Sequence, residues 1–212
     1  MSDQPEVRVN RLQRRKELTR AALVKAAQLL IAEGRLNVPV LEITQAADVG
    51  MGSFYNHFDS KEQLFEAAVA DVLDTHGAVL DHLTAGIDDP AAVFACSFRL
   101  SGRFFRERPQ ESRILLANWG ALLSSDKGLA PRALRDIKAA VAAGRFTVDD
   151  PDLALAVAGG ALLGLGHLLQ SQPHRDAGAT SDAATESVLR LFGMSADEAR
   201  EVCALPLPEL QF

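Results

Sequence analysis

The sequence predicts an all-α protein, a small three-helix head followed by a larger helical body. Three observations carry that prediction. Hydrophobic residues make up 48% of 212 residues, enough to bury a core without cross-links. Alanine and leucine dominate, and no alternating Val/Ile/Thr run marks a strand. Apolar residues recur at helical spacing from Arg14 onward, punctuated by helix starts and stops.

The elements follow in order. Residues 1–13 read as a flexible arm. Leu23, Ala26, Ala27 and Leu30 form one stripe of a first helix that ends at Gly34. Pro39 suits the first turn of a short second helix, with Ile43, Ala46 and Ala47 expected on its inner face. A third short helix spans about Met51–His57, with Phe54 and Phe58 turned inward. Ser60 followed by Gln63 is a capping-box signature, so a fourth helix runs to about Leu83. Gly86-Ile87-Asp88-Asp89-Pro90 breaks the chain. Further helices are expected over 91–108, from Pro109, and over about 131–143, 152–171 and 180–192, with a short one after Ser195. The resulting domains are 14–75, containing a helix-turn-helix motif at 39–58, and 76–212.

Charge is unevenly placed. The net −6 resides entirely in residues 67–212; residues 1–66 balance nine bases against nine acids, and residues 1–25 hold seven bases against three acids. A basic N-terminal segment on an acidic body is an electrostatic footprint suited to DNA. It equally suits a solvated, unstructured start.

The stretch VLEITQAADVGMGSFYNHF is a short helix, a tight turn at Ala47-Asp48-Val49-Gly50 and a second short helix. Such a unit lays its second helix in the major groove of double-stranded DNA. With Val49, Phe54 and Phe58 inward, Met51, Gly52, Tyr55 and Asn56 face outward. Gly52 allows close backbone approach, and Tyr55 offers a phenol to a phosphate. Lys61, at the first turn of the next helix, adds charge beside free amides.

ITQAADVGMGSFYNHFDSKEQLFEAAV resembles the DNA-binding end of the tetracycline-repressor (TetR) family. Ile43, Ala47, Val49, Gly52, Tyr55, His57, Phe58, Ser60, Lys61, Glu62 and Leu64 stand in register with that family's pattern. The resemblance implies that Met51, Gly52 and Ser53 meet bases or nearby phosphates. It implies that Tyr55 and His57 contact the DNA backbone, and Lys61 a phosphate. Gly50 stands where a Ser or Thr usually caps the recognition helix, Asp48 replaces the usual turn glycine, and Val38-Pro39 replaces a Thr pair.

In the body, Phe94, Phe98 and Phe105 lie at helical spacing, with Leu115 and Trp119 on the next helix. Core packing accounts for such a cluster, and so does an apolar ligand pocket, which is where the family places one. The expected pocket comprises Phe94, Phe98, Arg99, Phe105, Leu115, Asn118 and Trp119, for a largely apolar small-molecule inducer. Arg99 is the candidate partner for an acidic group.

The longest apolar run, Leu153–Leu169, contains four glycines and follows three aspartates, so it reads as a buried or interface helix and not a membrane span. The resemblance implies a homodimer built as a four-helix bundle from the last two long helices. The expected interface is Leu153, Val157, Gly160, Ala161, Gly164, Leu168, Val188, Leu191 and Phe192.

No His/Cys/Asp/Glu spacing indicates a metal site, no phosphate-binding loop is present, and no nucleophile–base pair is evident, so neither a cofactor nor a catalytic residue is expected. Cys96 and Cys203 read as buried small hydrophobes in a reducing compartment. The opening residues have no apolar run of the secretory type, so a cytoplasmic location is expected. These readings converge on a transcriptional regulator: a repressor released from a palindromic operator by a small molecule. The alternatives are an architectural DNA-binding protein without a ligand, or an all-helical enzyme that has kept a DNA-binding head.

Overall fold

A computed structural model describes residues 5–118 and 128–208. The described residues form helices only: α1 (Pro5–Ala32), α2 (Val40–Ala46), α3 (Met51–Tyr55), α4 (Lys61–Thr84), α5 (Pro90–Glu107), α6 (Pro109–Ala117), α7 (Leu129–Ala142), α8 (Pro151–Ser171), α9 (Ala177–Leu191) and α10 (Ala196–Ala204). Helix α1 begins at Pro5, so residues 5–13, expected to form an arm, continue the first helix. The chain divides into two compact units between Asp71 and Val72, inside α4, rather than at residue 76.

The first unit closes on a small core. Leu23, Ala27, Ile43, Phe54, Leu64 and Ala68 are almost fully enclosed, with Leu30 and Phe58 beside them. Helix α2 turns its inner face differently from the expectation. Ala46 is exposed and Ala47 only half-buried, whereas Thr44 is buried. Thr44 can take that place because its Oγ1 donates to the Leu41 carbonyl at 2.9 Å, leaving no unsatisfied hydroxyl inside. The start of α4 is fixed by Ser60, whose Oγ accepts from the Gln63 amide at 3.2 Å. The Gln63 side chain returns to the Asp59 amide at 2.7 Å.

In the second unit α5 is the central helix, packing against α6, α7, α8, α9 and α10. Asp89 caps it by accepting from the Ala91 amide, and Pro90 occupies its first turn. Its approach to α8 and α9 is tight at Gly102. A Cβ there would lie 2.3 Å from Ser181 Oγ and 2.9 Å from a Leu165 methyl. The core joins Phe94, Phe98, Ile137, Phe146, Leu165, Leu169, Val188, Leu189, Phe192 and Met194. Phe94, Phe146 and Phe192 form an aromatic triangle with ring centroids 5.2–5.7 Å apart.

Helix α8 is long and apolar enough to cross a membrane by length and composition. Here Ala154, Ala158, Leu165, Gly166 and Leu169 pack one side of it into the body. Gly166 serves that packing, because a Cβ would lie 2.7 Å from Leu116 and 2.9 Å from Phe105. Gly160 and Gly164, on the outward side, meet nothing within 4 Å.

Candidate functional site

In the first unit, the turn between α2 and α3 passes through Asp48 at φ 52°, a left-handed conformation that Asp tolerates better than most non-glycine residues. Gly50 precedes α3 in extended conformation and provides no side-chain cap. Phe54 anchors α3 to the core, with Tyr55 against it edge-on at 5.1 Å and 78°. The opposite side of α3 is open. Met51 is 48% and Tyr55 60% exposed, and Gly52 has free space where a side chain would stand. Two large apolar side chains held in solvent on a five-residue helix mark a contact surface.

Beside them lies a groove of about 410 Å³ lined by Arg15, Lys16, Thr19, Ser53, Asn56 and His57. Ser53, Asn56 and His57 are among the residues expected from the sequence; Arg15, Lys16 and Thr19 of α1 are not, and the Arg14-Arg15-Lys16 run is the signal that points to them. Burial first, then the charges of Lys16 and Arg20, lower the His57 pKa below its ordinary value, so its imidazole is neutral at pH 7. Arg20 lies over the Phe58 ring at 5.1 Å. Lys61 Nζ donates to Asn37 Oδ1 at 3.3 Å, which holds the amine in place and leaves further N–H donors available.

The second unit contains a cavity of about 60 Å³, room for roughly four to six water-sized groups. Phe94, Phe98, Leu80, Leu129 and Leu162 give it apolar walls. Asp81, Arg132, Arg135 and Asp136 give it a charged side. Arg132 Nε donates to Asp81 Oδ2 at 2.7 Å, and Arg135 Nη2 to Asp81 Oδ1 at 2.9 Å. Arg135 Nε also donates to Asp136 Oδ1 at 2.8 Å. For Asp81, burial opposes ionisation, but the hydrogen bonds from Arg132 and Arg135 prevail and lower its pKa. For Asp136, burial dominates; helped by the nearby Asp81 charge, it raises the pKa despite Arg135. The cavity thus sets apolar faces opposite an ion-paired charged cluster.

The residues of the expected pocket divide around this cavity. Phe94 and Phe98 do line the cavity, but Arg99, Phe105, Leu115 and Asn118 do not. Arg99 is consumed internally, donating to Asp182 Oδ1 and to the Leu205 carbonyl, both at 2.7 Å. Asn118 Nδ2 donates to the Ile114 carbonyl at 2.8 Å. Phe105 and Leu115 border a second, smaller cavity of about 10 Å³. Trp119 lies outside the described residues. Asp81, Arg132, Arg135 and Asp136 line the cavity although no sequence motif marks them, three of them standing on α7.

The expected dimer residues divide as well. Leu153, Val157 and Leu191 are exposed at 61%, 41% and 69%. Gly160 and Gly164 are exposed, and Ala161 and Leu168 half-buried. Val188 and Phe192 are 2% exposed and belong to the core of the body, so they offer no side chain to a partner. Helix α9 presents Leu191 outward and, three residues back and one ahead, turns Val188 and Phe192 inward.

The family described as "Tetracyclin repressor-like, C-terminal domain" matches residues 89–204, and "Bacterial regulatory proteins, tetR family" matches residues 22–68. The chain belongs to the TetR family. It is a DNA-binding transcriptional repressor and not an enzyme. Among curated TetR relatives, it is 25% identical to the probable acrEF/envCD operon repressor of Escherichia coli strain K12, over 85% of this chain and 87% of that protein. Among solved structures it is similar to RolR without ligand, at 36% identity and a TM-score of 0.75, covering 91% of this chain and all (100%) of that one. The crystal structure of RolR in complex with the ligand resorcinol matches at 35% identity and a TM-score of 0.66, covering 94% and 100%.

Proposed function

We propose that this TetR-family repressor acts as a homodimer on a palindromic operator and is released by a small hydroxylated aromatic molecule bound in the α4–α5–α7–α8 cavity. The observation that carries the ligand class is the cavity's composition. Phe94 and Phe98 suit the face of a ring, while two carboxylates and two guanidiniums suit its hydroxyls. This departs from a largely apolar inducer, because Asp81 and Arg135 stay partly open to solvent despite their mutual ion pairs, and a purely apolar ligand would strip that water without replacing its hydrogen bonds. The resemblance to RolR, whose crystallised ligand is resorcinol, supports the same class.

On the DNA side, Met51, Gly52, Ser53, Tyr55 and Asn56 of the recognition helix face bases and adjoining phosphates. His57 and Lys61, joined by Arg15, Lys16 and Thr19, hold the backbone. The homodimer uses the outward stripe of α8 (Leu153, Val157, Gly160, Ala161, Gly164, Leu168) with Leu191 of α9. Covering exposed apolar side chains supplies the drive, and the open glycines permit close helix approach. A reducing cytoplasm accords with two buried free thiols, Cys96 and Cys203.

The coupling runs through α4, which carries Leu64 and Ala68 of the first unit's core and Asp81 of the cavity. Ring hydroxyls compete with Asp81 for Arg132 and Arg135, so ligand binding changes what holds α4. Only a ligand that binds the two states unequally shifts them. Calorimetric titration of resorcinol into the wild type, Arg132→Met and Asp136→Ala tests the reading. Saturable binding by the wild type with at least tenfold loss in both variants supports it. Equal binding by all three, or none by the wild type, overturns it.

A further inference from the structure

The smaller cavity adjoins the main one, sharing Ser101, Leu129 and Leu162 as walls. Its remaining lining is apolar except for His76. His76 sits on α4 with 3% of its surface exposed and its ring 4.2 Å from that of Phe104. Nε2 lies 3.1 Å from Ser101 Oγ, while Nδ1 has no hydrogen-bond partner among the described residues. Buried polar atoms in native proteins nearly always have partners, so a donor or acceptor entering the lobe would satisfy this one. At about 10 Å³ the lobe accepts a single water-sized group.

We propose that this lobe is a specificity subsite, in which His76 Nδ1 hydrogen-bonds one hydroxyl-sized substituent of the ring held in the main cavity. The inference rests on the reading of the main cavity as a hydroxylated-aromatic site and narrows it to rings bearing a further hydroxyl. Burial lowers the His76 pKa to about 4, so the imidazole is neutral at pH 7 and has one donor and one acceptor nitrogen. Where Nε2–H donates to Ser101 Oγ, Nδ1 accepts from the incoming hydroxyl. Where Ser101 Oγ–H donates to Nε2, Nδ1–H donates to it. A hydroxyl satisfies either arrangement, because it is both donor and acceptor. A methyl group of similar size satisfies neither, and a bare ring leaves the lobe to water.

The test is calorimetry on the full chain with resorcinol, its trihydroxy counterparts, and resorcinol bearing a methyl in place of the added hydroxyl. The wild type is expected to bind one trihydroxy isomer roughly tenfold tighter than both resorcinol and the matching methyl compound, the fold-change one satisfied buried hydrogen bond supplies. In His76→Leu that preference falls to about one while resorcinol affinity stays unchanged. In His76→Asn, whose amide can stand near the position of Nδ1, part of the preference returns. Should resorcinol bind the wild type with no trihydroxy isomer preferred over its methyl counterpart, the subsite is overturned and the main-cavity reading survives. A preference that persists in His76→Leu overturns it equally. Failure of every ring to bind the wild type overturns both. The wild-type comparison alone decides the matter if His76→Leu does not fold.

Discussion

Arg132 of α7 donates to Asp81 of α4 at 2.7 Å, and its guanidinium lies across the bare backbone of Gly77 on the same helix. A Cβ at Gly77 would lie 2.7 Å from Arg132 Nη1 and 2.9 Å from its Cζ. The glycine therefore makes room for the arginine that both lines the cavity and grips α4. Two effects compete in Gly77→Ala. Alanine favours the helix by about 0.5–1 kcal/mol, whereas the displaced Arg132 is a flexible side chain that can swing away at modest cost. The melting temperature is expected to hold or rise slightly while resorcinol affinity falls by roughly tenfold. Thermal unfolding and calorimetry on one preparation check this. Parallel losses of stability and affinity would show that Gly77 serves packing alone.

Acidification should weaken ligand binding through Asp136 before Asp81. An ionised carboxylate accepts a hydroxyl hydrogen more strongly than a protonated one, which keeps acceptor capacity but loses the charge. Burial raises the Asp136 pKa and the two arginines lower that of Asp81, so a falling pH neutralises Asp136 first, above the ordinary carboxylate value of about 3.9. Affinity is thus full above the raised Asp136 pKa and declines below it. Titrations of resorcinol across that interval check the sign. Asp136→Asn should be weaker throughout and flat with pH, and an unaltered pH profile in that variant would assign the proton elsewhere.

Tyr55→Ala should weaken binding to specific and random duplexes alike. The phenol is 60% exposed and packs edge-on against Phe54, a placement suited to a phosphate beside the groove. Loss of one neutral hydrogen bond costs roughly 0.5–1.5 kcal/mol. Fluorescence anisotropy with both duplexes is the check, and weakening confined to the specific duplex would make Tyr55 a reader of bases.

Leu191→Glu should dissociate the dimer without unfolding the protomer. Leu191 is 69% exposed, so its replacement leaves the body's own core intact, whereas a pair of carboxylates at a two-fold interface is desolvated twice. Sedimentation at micromolar concentration should give the protomer mass with unchanged helicity. A persistent dimer would place the interface away from α9.

What was legible in the sequence followed from local rules. The capping box at Ser60 marks the start of α4, the break ending at Pro90 marks that of α5, and the fixed spacing from Ile43 to Leu64 specifies the DNA-binding unit. The cavity was legible only in part. Phe94 and Phe98 advertise themselves by periodicity, but the carboxylates and guanidiniums opposite them are brought together by tertiary packing of α4 against α7, which no spacing encodes. Arg99 misled for the same reason. Its partners, Asp182 and Leu205, stand far along the chain and turn a candidate ligand contact into an internal tie. Val188 and Leu191 share α9 with Phe192 at its C-terminal cap, and periodicity alone cannot say which side of α9 faces the body and which a partner.

The most direct test is release of DNA. A duplex selected by the protein from random sequence, labelled and held at half-saturation, is titrated with resorcinol while anisotropy is read for the wild type and Arg132→Met. The proposed function predicts that anisotropy falls to the free-DNA value for the wild type, at concentrations matching its calorimetric affinity, and that Arg132→Met stays bound to DNA through the same titration. If resorcinol binds the wild type but leaves the complex intact, or releases both proteins alike, the cavity is not the switch.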